Sequence, residues 1–88
     1  MVKVKFLAQL RQDLGTQERE LDINNITIIE LLKMLTEEYN KPFLKLIDDD
    51  LLVVMYNSRV LDREELENVV INSNDIITLM PPIVGGSL

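Results

Sequence analysis

The sequence contains no cysteine, no histidine and no tryptophan, and only three glycines and three prolines among its 88 residues. Without cysteine the chain has no disulfides, no thiolate metal sites and no cysteine nucleophile. Without histidine it lacks the commonest general base and the commonest metal ligand. No apolar run approaches membrane-spanning length and no signal peptide is evident, so we expect a cytoplasmic protein that does not enter the membrane.

Basic residues are also few. The sequence has nine Lys and Arg and 15 Asp and Glu, which gives a net charge of −6. Phosphate backbones would be repelled by this charge, so we expect no nucleic-acid partner. A protein partner with a basic docking face is the expected complement. The length suits one domain with a modest core.

Hydrophobic periodicity predicts five strands and one main helix. The helix is predicted from residue 28 to about residue 39, because Thr27 and Glu30 form a capping-box pattern and Pro42 follows its end. Short helical turns are predicted at 43–47 and 62–66. The predicted strands are 2–8, 18–23, 51–56, 59–61 and 76–80. This order predicts an α+β domain over residues 1–80, in which the helix packs on one face of a mixed sheet.

The other face of such a sheet must meet solvent or a partner, because one amphipathic helix covers only one face. If Ile77 and Leu79 point inward, Met80 points outward, and Leu7 falls on the same outer side. Val60 on the short strand is a third candidate for this face. A contiguous apolar patch would indicate a docking surface, whereas scattered exposed apolar residues would not, and the sequence leaves both open.

The body of the domain offers little for catalysis or metal binding. The Asp48-Asp49-Asp50 run lacks the spacing and glycine of a calcium loop and is interpreted as a solvated loop. The glutamates at 64, 65 and 67 are interpreted as a solvated face. No serine has a histidine to activate it, and no glycine-rich phosphate loop precedes a helix. The sequence therefore predicts a protein that is not itself an enzyme.

The last eight residues, 81–88, are predicted to form a flexible tail. Pro81 and Pro82 end strand pairing and favour an extended chain, and Gly85 and Gly86 add no side chains. Such a tail can thread a narrow channel. A carboxylate after diglycine is unreactive until a partner converts it to an acyl-adenylate with ATP and magnesium, so the chain itself is expected to bind no cofactor.

Three segments share a pattern with one known family. They are Phe6-Leu7-Ala8-Gln9-Leu10-Arg11, Leu14-Gly15-Thr16 and Met80-Pro81-Pro82-Ile83-Val84-Gly85-Gly86. The chain resembles the small, sulfur-carrying subunit of molybdopterin synthase, the MoaD/ThiS family. The resemblance covers the chain up to Gly86, is weakest in the middle, and implies a ubiquitin-like β-grasp fold.

The resemblance also implies a mechanism and partners. An adenylating enzyme would activate the carboxylate of Gly86, and a sulfur-donor protein would convert it to a thiocarboxylate. The tail would then enter the large synthase subunit, which builds the dithiolene of molybdopterin. The residues expected to contact partners are Leu7, Val60, Met80, Pro81, Pro82, Ile83 and Val84, with Gly85 and Gly86 at the reactive end. We expect a monomer when the chain is alone.

The chain departs from the family pattern because Ser87 and Leu88 follow the second glycine. A protease could remove them, they could be a cloning remnant, or this copy does not carry sulfur. Alternative functions also stay open: sulfur carriage for thiamin or tRNA thiolation, a protein modifier joined to lysines through Gly86, or a β-grasp binding module without covalent chemistry.

Overall fold

The computed structural model describes residues 1–82 of the chain. Its strands are β1 (Val2–Phe6), β2 (Glu18–Leu21), β3 (Ile26–Thr27), β4 (Val53–Tyr56), β5 (Arg59–Val60), β6 (Val70–Ile71) and β7 (Ile76–Met80). Its helices are α1 (Gln9–Leu14), α2 (Ile28–Tyr39), α3 (Phe43–Asp48) and a 3-10 turn at Arg63–Glu67.

Five strands form a mixed sheet in the order β2-β1-β7-β4-β5. The first and last strands, β1 and β7, pair in parallel at its centre, and the other pairings are antiparallel. The short strands β3 and β6 form a separate antiparallel pair. The predicted fold class is confirmed: this is a ubiquitin-like β-grasp, a mixed sheet with one main helix packed on one face.

The core lies between α2 and one face of the sheet. Alternation along β1 buries one set of side chains completely, and α2 contributes a stripe at helical spacing. Burying each large apolar side chain stabilises the fold by about 1.5–3 kcal/mol. Phe6 also meets Tyr39 edge to face, with ring centroids 5.7 Å apart. The fully buried side chains include Val2, Val4, Phe6, Ile28, Leu31, Leu32, Leu35, Phe43, Ile77 and Leu79.

Helix α2 begins where the sequence predicts. The Glu30 amide donates to the Thr27 hydroxyl at 3.2 Å, and the Thr27 amide donates back to the Glu30 carboxylate at 2.9 Å. The capping box is therefore confirmed. The Thr27 hydroxyl also donates to this carboxylate, at 3.1 Å. The hydrogen bonds from the Thr27 amide and hydroxyl favour the ionised carboxylate and lower the pKa of Glu30. Asn40, in the left-handed region at φ 54°, ends the helix.

The first strand is shorter than predicted. It ends at Phe6 because Ala8 adopts a positive φ of 56° and turns the chain into α1, a helix that the sequence analysis did not predict. Ala8 is exposed and does not share the buried face of β1, as the alternation suggested. Gly15, at φ 71°, ends α1 at the predicted turn.

Three other strand predictions are too long. β2 ends at Leu21, and the predicted residues 22–23 lead instead to Asn25, whose φ is 61°. β4 begins at Val53, because Asp50 has a positive φ of 60° and the Leu51 amide donates to the Leu46 carbonyl at 2.8 Å. β5 ends at Val60 instead of residue 61. The near-continuous apolar run of β4 is typical of a central strand, and β4 does lie inside the sheet, between β7 and β5.

Within residues 1–82, every helix is too short or too polar to cross a membrane.

Candidate functional site

The sheet has a face turned away from α2, here called the open face. Pairing partners in neighbouring strands lie on the same face, so the register defines its composition. One row runs across four strands, from Lys5 through Thr78 and Met55 to Val60. The open face comprises Lys3, Lys5, Leu7, Glu18, Glu20, Val53, Met55, Val60, Ile76, Thr78 and Met80.

The predicted trio Leu7, Val60 and Met80 lies on this face. Leu7 is 37% exposed and Val60 is 57% exposed, while Met80 is partly buried. The Leu7 amide donates to the Leu79 carbonyl at 3.1 Å, which holds Leu7 beside the end of β7. Their role as partner contacts stays a prediction.

Two residues that the sequence analysis missed connect the trio. Val53 pairs with Met80, and Met55 pairs with Val60 and Thr78. Both side chains are partly buried. The apolar patch is therefore contiguous from Leu7 across Met80 and β4 to Val60, which is typical of a docking surface. The sequence signal for both residues is strand alternation within the run 51–56, which places Val53 and Met55 on the face opposite to the buried Val54.

The tail leaves the sheet beside this patch. β7 ends at Met80 as predicted, and Pro81 and Pro82 follow it as partly buried residues. Pro81 also lines a groove of about 240 Å³ together with Gln9, Leu46 and Leu51. The other predicted site residues, Ile83, Val84, Gly85 and Gly86, lie outside the described residues, as do Ser87 and Leu88.

The edge of the open face near β2 is charged rather than apolar. Lys3 and Lys5 lie on β1 opposite Glu20 and Glu18. The Lys3 ammonium lies 3.5 Å from the Glu18 carboxylate, diagonally across the pair of strands. Charge on this face is thus carried by β1 and β2, whereas the apolar patch extends from Leu7 across β7 and β4 to β5.

The acidic loop at 48–50 is engaged in ion pairs. Arg63 Nε donates to the Asp48 carboxylate at 2.7 Å, and Lys45 Nζ donates to Asp49 at 3.0 Å. Within residues 1–82, no group of three or more acidic side chains is arranged to hold a metal ion. The loop therefore contributes surface ion pairs, which stabilise proteins only weakly.

A polar cluster at the start of β7 was not foreseen from the sequence. The Tyr56 hydroxyl donates to the Asp75 carboxylate at 2.6 Å, and the Asn72 amide donates to it at 2.8 Å. Desolvation raises the pKa of Asp75, but these hydrogen bonds outweigh it and the net pKa is lowered. The cluster lies at the opposite end of β7 from Met80, so it serves strand register rather than the tail.

Comparison with known proteins places the chain in a family. The model of the ThiS family matches residues 4–86, which includes the diglycine. A search of curated proteins finds no match.

Similar solved structures share the fold along nearly the whole chain. The small archaeal modifier protein 1 from Methanosarcina acetivorans is 30% identical, with 97% of this chain and 95% of that chain covered and a TM-score of 0.70. The same-named protein from Haloferax volcanii is 22% identical, with coverages of 97% and 98% and a TM-score of 0.72.

A third similar structure comes from an assembly. It is a chain of the complex of subunits 1 and 2 of the molybdopterin-converting factor from Helicobacter pylori, 24% identical, with 97% of each chain covered and a TM-score of 0.66. The resemblance drawn from the sequence motifs is confirmed. This chain belongs to the ThiS family of ubiquitin-like sulfur carriers.

Proposed function

We propose that this protein carries sulfur for molybdopterin synthesis, as the small subunit of molybdopterin synthase. The observation that supports this most is the ThiS-family match, which runs from residue 4 through Gly86. The contiguous apolar patch lies where the tail leaves the sheet, so a subunit that receives the tail could dock on this surface. The Pro81-Pro82 pair favours this branch over other sulfur carriers.

The chemistry takes place at the carboxyl carbon of Gly86 once that residue is the terminus. An adenylating partner joins the carboxylate to the α-phosphate of ATP and releases pyrophosphate. The outer sulfur of a persulfide on a sulfur-donor protein then displaces AMP to form an acyl disulfide. A thiol of a partner cleaves its S–S bond, which leaves a thiocarboxylate on Gly86 and a disulfide on the partner. The partners supply ATP, magnesium and catalysis, and this chain supplies recognition and an acyl group with no Cβ beside it.

The open face contacts the large synthase subunit in this proposal. Leu7, Val53, Met55, Val60 and Met80 present one apolar surface, and the tail leaves from its end. The Helicobacter pylori neighbour is itself a chain from a complex of two subunits, which supports a partner of that kind.

Reconstitution tests this function directly. The chain ending at Gly86 is incubated with the activating enzyme, the sulfur donor and ATP from its own source, and intact mass is measured. We expect the mass increase of one oxygen replaced by sulfur, and dithiolene formation when the large subunit and its substrate are added. Gly86→Leu is expected to prevent both, because its side chain crowds the reacting carbonyl. A chain whose terminal carboxyl is never activated would contradict the proposal.

The proposal also requires that Ser87 and Leu88 be removed. Incubation of the full chain with cytosol from its source should yield a product ending at Gly86, detected by mass spectrometry. Persistence of Leu88 as the terminus of the natural protein would argue against carriage of sulfur.

A second candidate is a protein modifier. It is favoured by one observation, the 30% identity to a small archaeal modifier protein. In this case Gly86 would form amide bonds with lysines of target proteins. Immunoblots should then show high-mass adducts that disappear when Gly86 is deleted, whereas a single free band would exclude this role under the conditions tested.

The proteins that co-purify with the chain distinguish the remaining alternatives, which are sulfur carriage for thiamin synthesis, sulfur carriage for tRNA thiolation, and non-covalent binding. A large synthase subunit would support the molybdopterin branch. Function that survives Gly86→Leu would instead indicate a binding module without covalent chemistry.

A further inference from the structure

One polar pair interrupts the apolar side of the open face. Lys5 and Thr78 are direct partners in the β1–β7 pairing, and Thr78 is in turn the partner of Met55. The two side chains therefore start from neighbouring positions on the same face, and Met55 and Val60 continue the same row. This position is near the middle of the sheet, not at its rim.

The Lys5 ammonium has no ion pair within the described part of the chain. Its partner across the β1–β2 pairing is Glu18, but the Glu18 carboxylate lies 3.5 Å from Lys3 instead. None of the other salt bridges within residues 1–82 includes Lys5. Lys5 is partly buried, so part of its side chain packs against its neighbours on the face.

Thr78 is the one polar residue of the described chain that falls among the buried residues, at 8% exposure. None of the side-chain hydrogen bonds within residues 1–82 involves its hydroxyl. No buried side-chain nitrogen or oxygen of the described residues lacks a hydrogen-bond partner, so this hydroxyl is still reached by water in the free chain. When a partner covers this face and removes water, both Lys5 and Thr78 need an acceptor.

The local charge also differs from that of the whole chain. The net charge is −6, yet the open face carries two lysines and two glutamates, Lys3, Lys5, Glu18 and Glu20. Because Glu18 pairs with Lys3, the charge left nearest to the apolar patch is positive. The bulk composition favoured a basic docking face on the partner, but the complement of this surface is an apolar face with a negative group.

We propose that the partner covering the open face places an Asp or Glu carboxylate between Lys5 Nζ and Thr78 Oγ1. The carboxylate accepts hydrogen bonds from both donors and neutralises the ammonium as docking removes water. Lys5 and Thr78 thereby determine which apolar partner surfaces fit, since a surface with a cation at this point would be repelled. The inference rests on the proposed function, which makes the large synthase subunit that partner.

Calorimetric titration of the full chain with the large synthase subunit of its own source tests the contact. Lys5→Glu should weaken binding by at least about tenfold, because it opposes two carboxylates in a desolvated place. Lys5→Arg keeps the charge and should bind much like the unaltered chain. The matched control is Lys33→Glu, which reverses a charge on the exposed side of α2 and should leave the affinity unchanged.

Two further variants cover the case in which Lys5→Glu does not fold. Lys5→Met keeps the length of the side chain, and its affinity should no longer fall as salt concentration rises. Thr78→Val removes one donor and should weaken binding about three- to tenfold. Circular dichroism is recorded for each variant to verify that it is folded.

The outcomes separate two failures. If the unaltered chain does not bind the large subunit, the proposed function fails and this inference fails with it. If the chain binds but Lys5→Glu or Lys5→Met bind equally well, only the carboxylate contact is overturned. If Lys33→Glu also lost binding, the weaker binding of Lys5→Glu would reflect the total charge of the chain. This result would also overturn the carboxylate contact.

Discussion

At the scale of single residues, the polar cluster around Asp75 makes the stability of the fold depend on pH. Its carboxylate accepts hydrogen bonds from the Tyr56 hydroxyl and the Asn72 amide, and the Asn57 carboxamide accepts one from the Ile76 amide at 2.9 Å. Two turns and the start of β7 are thereby joined. Hydrogen bonding to Asp75 raises the pKa of Tyr56, while the net pKa of Asp75 is lowered.

These shifts predict the pH dependence of stability at both ends of the scale. Asp75 has a lower pKa in the folded chain, so its contribution is present above its unfolded pKa and is lost as pH falls through the folded value. Tyr56 has a raised pKa, so its contribution is present below its unfolded pKa and is lost as pH rises through the folded value.

We expect Tyr56→Phe to move the titration midpoint of Asp75 upward, because the carboxylate loses its hydroxyl donor. The free energy of unfolding near neutral pH should fall by about 1–2 kcal/mol. Carbon-detected NMR of the Asp75 carboxyl and urea unfolding measure the two effects. Tyr39→Phe, a change distant from this carboxylate, is the control, and an unmoved Asp75 midpoint in Tyr56→Phe would contradict the interpretation.

At the scale of elements, the side chains on the two faces of β7 have different roles. Leu79 is fully buried between the sheet and α2, whereas the open-face residues meet solvent in the free chain. Substitutions on the buried face should therefore lower the stability of the fold, whereas substitutions on the open face should weaken docking.

Leu79→Ala is expected to lower the free energy of unfolding by about 2–5 kcal/mol, because it leaves a cavity in the core. Val60→Ser, at a side chain 57% exposed, should change it by no more than about 0.5 kcal/mol. In binding to the large synthase subunit, Val60→Ser should nonetheless be weaker than the unaltered chain. Denaturant unfolding and calorimetry measure the two quantities, and a large loss of stability in Val60→Ser would count against this division.

The elements with strong local signals were predictable from the sequence. The Thr27 and Glu30 pair placed the start of α2, and the prolines after Met80 placed the end of β7. The pattern failed where backbone conformation overrides side-chain alternation, as at Ala8, whose positive φ is uncommon for alanine. The two-residue strands β3 and β6 are too short to show a period, and they pair only because distant segments meet.

The open face was predictable only in part for the same reason. Leu7, Val60 and Met80 could be assigned from strand alternation, but their connection through Val53 and Met55 depends on register between strands far apart in the chain. The Lys5–Thr78 pair likewise arises from the parallel β1–β7 register. No local pattern specifies which residues of two distant strands become neighbours.

At the scale of the whole molecule, recognition and chemistry are assigned to separate parts. The sheet and the helix that covers it are complete by Met80, whereas the proposed reactive carbon belongs to Gly86.

Deleting residues 83–88 is therefore expected to abolish sulfur transfer while it shifts the melting temperature by no more than about 2 °C. Binding of the large subunit should weaken but persist, because the open face is unchanged. Thermal unfolding, calorimetry and the reconstituted assay measure these three effects. A large fall in the melting temperature would show that the tail contributes to the fold.

The parallel pairing of β1 with β7 has a consequence for biosynthesis. The middle of the sheet pairs β1 with β7, which are the first and last strands of residues 1–82, so the nascent chain cannot close its sheet until β7 has left the ribosome. A prematurely terminated polypeptide would lack its central strand and with it Thr78 and Met80. Such a fragment could not form the open face, so β7 must be synthesised before any partner can dock there.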